Sequence, residues 1–240
     1  MGSVGHINIK SFCVNPFREN MYILWDEGRN CVIVDPGCYD SSETDAIMGF
    51  IASEGLTPKA IWLTHGHFDH IFGVAELERS FHVPVWMAPE DRFIVERDEY
   101  YARGLGLHAP DVSFGTKDLA DGQILRFAED SDSPSFRVIA TPGHTPGCVC
   151  FYDEEDGILL SGDTLFAGSL GRTDLEGGDY DMEIVGIMEK LMVLPGDVEV
   201  FPGHGPATSI SVERTSNPFL QPFNEPWEND ILSENNDLCI

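Results

Sequence analysis

Ala60-Ile-Trp-Leu-Thr-His65-Gly-His67-Phe-Asp69-His70 is the stretch on which the reading of this chain turns. Its first five residues are apolar and rich in strand formers, which predicts a short buried strand. Past His70, Val74, Leu77 and Phe81 recur at helical spacing while Glu76, Glu78 and Arg79 take the other side, which predicts an amphipathic helix. Residues 65–70 therefore fall where a strand ends and a helix begins, the edge at which open α/β sheets place their ligands. Three of the chain's eight histidines and one carboxylate sit in that window. A tight loop there can aim His65 and His67 at one point, and Asp69 and His70 at a second point beside it. Imidazole with carboxylate is the donor set for zinc or a similar divalent ion.

Toward the N-terminus, residues 7–14 and 20–25 read as strands joined around Asn15-Pro16-Phe17. Residues 31–34 read as a third strand ending at Asp35-Pro36-Gly37, a strong turn signal. Asp35 is expected to support the site rather than to ligate. A helix over about 43–54 follows, with Ile47, Phe50 and Ile51 inward and Gly55 as its stop. Beyond the histidine cluster, 83–87 predicts a short strand. Residues 89–103 predict a helix opened by Pro89 with acids behind it. From 104 to 122 regular patterning fades, as it does in a functional rim. His108, isolated there, is expected to be a solvated surface histidine.

The second half repeats the theme. A strand over 136–140 ends in Thr141-Pro-Gly-His144-Thr-Pro-Gly147, whose prolines and glycines hold the histidine in a rigid turn. Strands over 148–152 and 158–160 follow, the second ending in Ser161-Gly162-Asp163-Thr164. A helix fits 180–194, and a strand over 198–201 ends in Pro202-Gly203-His204-Gly205. Four strand ends thus deliver His65, His67, Asp69 and His70, then His144, Asp163 and His204. One metal is over-supplied by these ligands, whereas two use all of them if one carboxylate is shared. Asp163 is the natural bridge, since a carboxylate has two oxygens. Two ions ~3.5–4 Å apart can hold a hydroxide and polarise a substrate oxygen.

Composition sets the outer bounds. A 240-residue chain, 42% hydrophobic and 10% aromatic, can bury a substantial core and suits a soluble globular protein. A net charge of −27 argues against nucleic acid, because phosphate binding needs clustered Lys and Arg, and against anionic membrane surfaces. No apolar run reaches the ~20 residues that cross a bilayer. Residues 1–6 lack the basic-then-apolar order of a signal peptide. The six cysteines form no C-x-x-C pair, so reduced thiols in a cytoplasm are the expectation. Cys148 and Cys150 fall in an alternating strand pattern and are expected to be buried rather than reactive. Residues 1–214 read as one domain and 215–240 as an acidic tail. Phe219, Leu220, Phe223 and Trp227 of that tail could dock on the domain or on a second subunit, as in a homodimer.

The order His65-x-His67-x-Asp69-His70, then His144, Gly162-Asp163 and Gly203-His204, resembles the metallo-β-lactamase-fold hydrolase superfamily over about residues 7–210. Within it, Ser161-Gly-Asp-Thr-Leu-Phe-Ala-Gly-Ser-Leu-Gly-Arg-Thr-Asp174 resembles the glyoxalase II branch, in particular the compact bacterial hydroxyacylglutathione hydrolases. The resemblance implies an α/β fold, a four-layer αβ/βα sandwich of two mixed sheets with helices outside and the metals at one edge. It implies His65, His67 and His144 on one ion, Asp69, His70 and His204 on the other, and Asp163 between them. Zinc is the first expectation, with iron or manganese as alternatives. The implied reaction is hydrolysis of a small-molecule thioester by a metal-bridging hydroxide, with Asp69 and Asp163 as the catalytic carboxylates. A lactone or other ester hydrolase is a neighbouring reading. A mononuclear iron persulfide dioxygenase is another, since those enzymes also carry Gly-Arg-Thr-Asp. A non-catalytic redox or signalling module on the same fold is a third class, which the full ligand set disfavours.

The chain departs from the larger glyoxalase II enzymes, which add a C-terminal helical domain with basic residues that hold glutathione. Here no Lys or Arg follows Arg214. Arg172 falls where those enzymes place a lysine for the thiol cofactor's carboxylate. It reads two ways, as a substrate-binding cation or as the ion-pair partner of Asp174. The glycines between 168 and 178 lack the Gly-Lys-Ser/Thr ending of a phosphate cradle.

Overall fold

The computed structural model describes residues 7–128 and 133–221. An antiparallel meander opens the chain: β1 (Asn8–Val14), β2 (Glu19–Trp25) and β3 (Asn30–Val34). Asp40 then caps α1 (Ser41–Ser53) by accepting the N–H groups of Ser42 and Glu43. The helix carries the chain to β4 (Thr57–Trp62), parallel to β3. Next come α2 (Phe68–Ile71), α3 (Val74–Phe81), β5 (Val85–Met87), α4 (Arg92–Gly104) and β6 (Thr116–Asp118). These complete a six-stranded sheet in the order β1-β2-β3-β4-β5-β6.

The second sheet is built from β7 (Ile124–Arg126), β8 (Ser135–Ala140), β9 (Val149–Asp153) and β10 (Ile158–Gly162). The chain then forms a small separate hairpin, β11 (Leu165–Phe166) and β12 (Ser169–Leu170). After it comes α5 (Tyr180–Gly186), continued by a π-helical turn over Ile187–Leu191. β13 (Glu199–Pro202), β14 (Thr208–Ser209) and α6 (Ile210–Ser216) close the domain. The sheet order is β14-β13-β10-β9-β8-β7, with β10 and β13 parallel.

Strand alternation sorts side chains into three apolar layers. Tyr22, Leu24, Val32, Val34, Ala60 and Trp62 face the second sheet, whose Phe136, Val138, Val149, Phe151 and Leu160 meet them. Their neighbours Met21, Ile23, Cys31, Ile33, Ile61 and Leu63 face outward onto Ile47 and Ile51 of α1 and Val74 and Leu77 of α3. On the far side, Ile139, Cys150, Leu159 and Val200 pack on Ile184, Ile187, Leu191 and Ile210. A sheet covered on both faces requires apolar residues at nearly every position, which is why β9 and β10 are buried throughout. The result is the expected four-layer αβ/βα sandwich.

Several elements escaped the sequence pattern. β6 is Thr-Lys-Asp, an edge strand without an apolar residue to announce it. The short strands β7, β11, β12 and β14, and helix α6, are likewise new. The helix expected over 180–194 is α-helical only to Gly186. The packed body also runs past Arg214, because Asn217 and Leu220 are fully buried, Leu220 in the layer under the second sheet. Phe219 is half exposed, and Phe223 and Trp227 lie outside the described residues. Among the described residues no helix is long and apolar enough to cross a membrane.

Trp62 sits where the two sheets meet, 1% exposed. Its ring centroid lies 5.8, 5.5 and 5.3 Å from those of Phe127, Phe136 and Phe151. Trp62→Ala is expected to cost about 3–5 kcal/mol of stability, read as a lower urea midpoint. A loss below about 1 kcal/mol would contradict a single core shared by both sheets.

Candidate metal centre

The first sheet ends at this site through Asp35, just past β3. Its Oδ1 accepts the Thr64 N–H at 2.7 Å and its Oδ2 the Thr64 hydroxyl at 2.6 Å, so the ends of β3 and β4 are locked side by side. Oδ2 also lies 3.1 Å from His70 Nδ1. That contact orients the His70 ring with Nε2 pointing inward. Asp35 therefore supports the site, as its turn position suggested.

His65 and His67 follow in the loop between β4 and α2, and α2 itself carries Asp69 and His70. From the second sheet, the turn between β8 and β9 supplies His144, the end of β10 supplies Asp163 and the end of β13 supplies His204. All seven expected side chains meet at one edge of the sandwich. Ligand-type atoms of His65, His67 and His144 lie within 4.8 Å of one another, as do those of Asp69, His70 and His204. Asp163 stands between the two groups. Its Oδ1 is 3.4 Å from His70 Nε2, and its Oδ2 is 3.5 Å from both His144 Nε2 and His204 Nε2. A Cβ at Gly203 would run into Asp163 Oδ1, so the glycine before His204 is what lets the two strand ends approach.

Three further acids, not singled out by sequence pattern, lie behind the cluster, and two of them, Asp91 and Glu183, hold these loops. Asp91, fully buried before α4, accepts Gly66 N–H at 2.9 Å, the Thr145 hydroxyl at 2.7 Å and Gly147 N–H at 2.6 Å. One carboxylate thus ties the His65/His67 loop to the His144 turn. Glu183 of α5 accepts the His144 N–H at 2.5 Å, and burial pushes its carboxyl up to about 8. His144 Nδ1 donates to the Arg172 carbonyl at 2.6 Å, which leaves Nε2 facing the cluster. Glu19, fully buried at the start of β2, is 3.9 Å from His70 Nδ1. Asp91 and Glu183 sit at helix starts, where acids are ordinary, so nothing in the sequence marks them.

The electrostatics suit cation binding. Burial and mutual repulsion hold His65 well below the usual imidazole range and His67 at about 3, so both rings are neutral. Burial raises the Asp163 carboxyl, but the facing His70, His65 and His144 outweigh it and hold it well below the usual range. His67 Nδ1 and His144 Nε2 face each other at 2.9 Å. His65 Nε2, His70 Nε2 and Asp163 Oδ1 are buried with no hydrogen-bond partner. Buried polar atoms in folded proteins are as a rule paired, so these unpaired nitrogen and oxygen donors, converging on one point, fit a divalent ion.

The cluster opens into a cavity of about 710 Å³, whose wall includes His67, Asp69, His144, Asp163 and His204. Arg172 lines it too, with its guanidinium clasped by Asp174 at 2.7 and 2.8 Å, the second of the two readings of that residue. His108 is exposed but not free in solvent: its ring stacks on Tyr39 with centroids 4.0 Å apart. Cys148 and Cys150 are buried, and burial pushes the Cys150 thiol up to about 12.

Residues 14–204 match the model of the metallo-beta-lactamase superfamily. The chain belongs to that superfamily, whose fold implies divalent-metal binding at this His/Asp cluster. It is 36% identical over 220 residues to hydroxyacylglutathione hydrolase GloC of Haemophilus influenzae, covering 89% of this chain and 98% of that protein. It is 37% identical over 211 residues to the probable metallo-hydrolase YqgX of Bacillus subtilis, covering 88% and 96%. The solved structure of TTHA1623 in a di-iron-bound form superposes with a TM-score of 0.78 at 38% identity, covering 88% of this chain and all of that one. Family and relatives together support a metal-dependent hydrolase.

Two outcomes follow from the supporting acids. Asp91→Ala leaves three donors unpaired and unties two ligand loops. It is expected to cost about 2–4 kcal/mol of stability and to lower bound metal; unchanged stability and metal content would contradict the clasp. Asp98 of α4 is buried without a well-formed hydrogen bond, and burial, then the Asp69 and Asp91 charges, push its carboxyl up to about 9. A carboxyl raised in the fold binds its proton more tightly there than in the unfolded chain. Its contribution is therefore full below pH ~4 and declines as pH rises toward 9. In metal-free protein, the stability of Asp98→Asn relative to the parent is expected to improve steadily from pH 5.5 to 8.5, by about 4 kcal/mol at most. A pH-independent difference would contradict the raised carboxyl.

Proposed function

We propose that the chain is a dinuclear metal-dependent thioester hydrolase. The observation that carries this reading is the position of Asp163, one oxygen toward His70 and the other toward His144 and His204. His65, His67 and His144 would hold one divalent ion, Asp69, His70 and His204 a second, and Asp163 would be shared. Such ions bring the pKa of bound water toward neutrality and polarise a carbonyl.

The remaining work falls to the chain. Neutral His65 and His67 keep their lone pairs available, because burial disfavours their protonation. Arg172 O and Asp35 fix the His144 and His70 rings from behind, so each presents Nε2. Asp69 lines the cavity with its Oδ2 3.4 Å from His204 Nε2, a carboxylate placed to take the proton of the attacking water. The apolar cavity wall excludes competing water and holds the substrate carbonyl against the cluster. Among the described residues, no Ser, Cys or Lys lines the cavity, so no hydroxyl, thiol or amine of those types competes for the acyl group. A thiol with a pKa near ~8.5 leaves as thiolate without a strong acid.

The name of the Haemophilus relative supports thioester chemistry and makes hydroxyacylglutathione the reference substrate. The di-iron form of the solved relative supports two ions and leaves zinc, iron and manganese as the candidates. Asp163→Ala is expected to stay folded, to lose at least one equivalent of metal and to lose a hundredfold or more in thioester turnover, on the order of 3 kcal/mol. A folded variant with two metals and full turnover would contradict the reading.

A further inference from the structure

The cavity beside the metal candidates has a wall of marked chemical bias. Phe68, Phe93, Ile94, Tyr101, Phe166 and Leu170 give it an apolar lining, from α2, α4 and the β11–β12 hairpin. Among the described residues two cations line it, Arg97 and Arg172, and both are already committed. Arg97 pairs with Glu176, whose other oxygen accepts the Tyr101 hydroxyl at 2.8 Å. Arg172 grips both oxygens of Asp174, while its backbone carbonyl holds His144.

Glutathione carries two carboxylates and one ammonium. To hold those carboxylates, each arginine would have to release an acid it already binds. Exchanging one carboxylate for another at a solvent-exposed arginine yields no net attraction. The net charge of −27 adds repulsion at long range. An alkyl or aryl group entering the same space gains about fourfold in affinity for each methylene removed from water. A cavity of this size suits a small-molecule ligand.

We propose, resting on the thioester-hydrolase reading above, that the cavity takes a substrate whose acyl arm is uncharged and apolar, a medium-length alkyl or an aryl group. In this account the cavity has no binding site for the carboxylates of glutathione.

The test uses metal-loaded full-length protein and calorimetry with two non-hydrolysable series in which a methylene replaces the reacting carbonyl. One series is the S-butyl, S-hexyl and S-octyl thioethers of N-acetylcysteamine, which are neutral. The other is the same thioethers of glutathione. Kd is expected to fall about sixteenfold for every two carbons, and the neutral series to bind at least as tightly at each length. Phe93→Ala, outside the metal set, should flatten the length dependence in both series. Glu176→Gln, which releases Arg97, should tighten the glutathione series alone. A Kd independent of chain length, or glutathione thioethers binding tenfold more tightly than their neutral counterparts, overturns the proposal. Turnover of the matching acyl thioesters separates the proposal from its premise. Length-dependent neutral binding with no turnover of any thioester removes the hydrolase reading and supports the apolar site. Turnover with glutathione thioesters preferred tenfold keeps the hydrolase reading and overturns the apolar site.

Discussion

Five imidazoles and two carboxylates, most of them buried, must be kept within ligand distance of one another although His65 Nε2, His70 Nε2 and Asp163 Oδ1 find no hydrogen-bond partner there. That constraint governs the rest of the structure. Left alone, such groups would rotate toward solvent or pair off. Here the segments that carry His65, His67, His70 and His144 are fastened by carboxylates outside the cluster. Asp35 joins the ends of β3 and β4 and turns His70, Asp91 joins the first histidine loop to the His144 turn, and Glu183 joins that turn to α5. The unpaired atoms that remain face inward, where a cation offsets their burial. The sandwich behind them serves this arrangement. Strands buried on both faces are rigid supports, and all the candidate ligands come from or just beyond strand ends at one edge.

Much of this was legible in the sequence because two independent signals coincide. Apolar runs such as Ala60-Ile-Trp-Leu and Val149-Cys-Phe-Tyr mark strands covered on both sides, and chemistry-bearing residues follow directly where those runs stop. The candidate cluster could therefore be read residue by residue. What stayed hidden has a common physical cause. Asp91 and Glu183 act through long-range hydrogen bonds to backbone groups, and nothing local distinguishes them from solvated acids at helix starts. Glu19, at the start of β2, is buried where that strand end bridges to His204 of the second sheet, a contact that only the meeting of the two sheets creates. β6 and β14 carry no apolar side chain and are held by pairing, and β11, although its Leu165 is buried, is two residues long, so none of the three has a periodicity to find.

Charge and shape at the site point in different directions, and the difference bears on substrate choice. The chain is strongly acidic, and the cations that reach the cavity are held by Glu176 and Asp174. The metal candidates address only the reacting carbonyl. In the proposed reading, recognition of the remainder of the substrate rests on aromatic and aliphatic wall residues, a non-directional force that discriminates by size and polarity rather than by charge.

The claim beneath all of this is that the cluster is one site for two divalent ions with Asp163 shared. Titration of metal-free protein with zinc against a chromophoric chelator, followed by X-ray absorption at the zinc edge, addresses it directly. The account predicts two equivalents per chain, nitrogen and oxygen ligation only, and metal–metal scattering near ~3.5 Å. A single tightly bound equivalent with no metal–metal scattering, or sulfur in the coordination sphere, would contradict it.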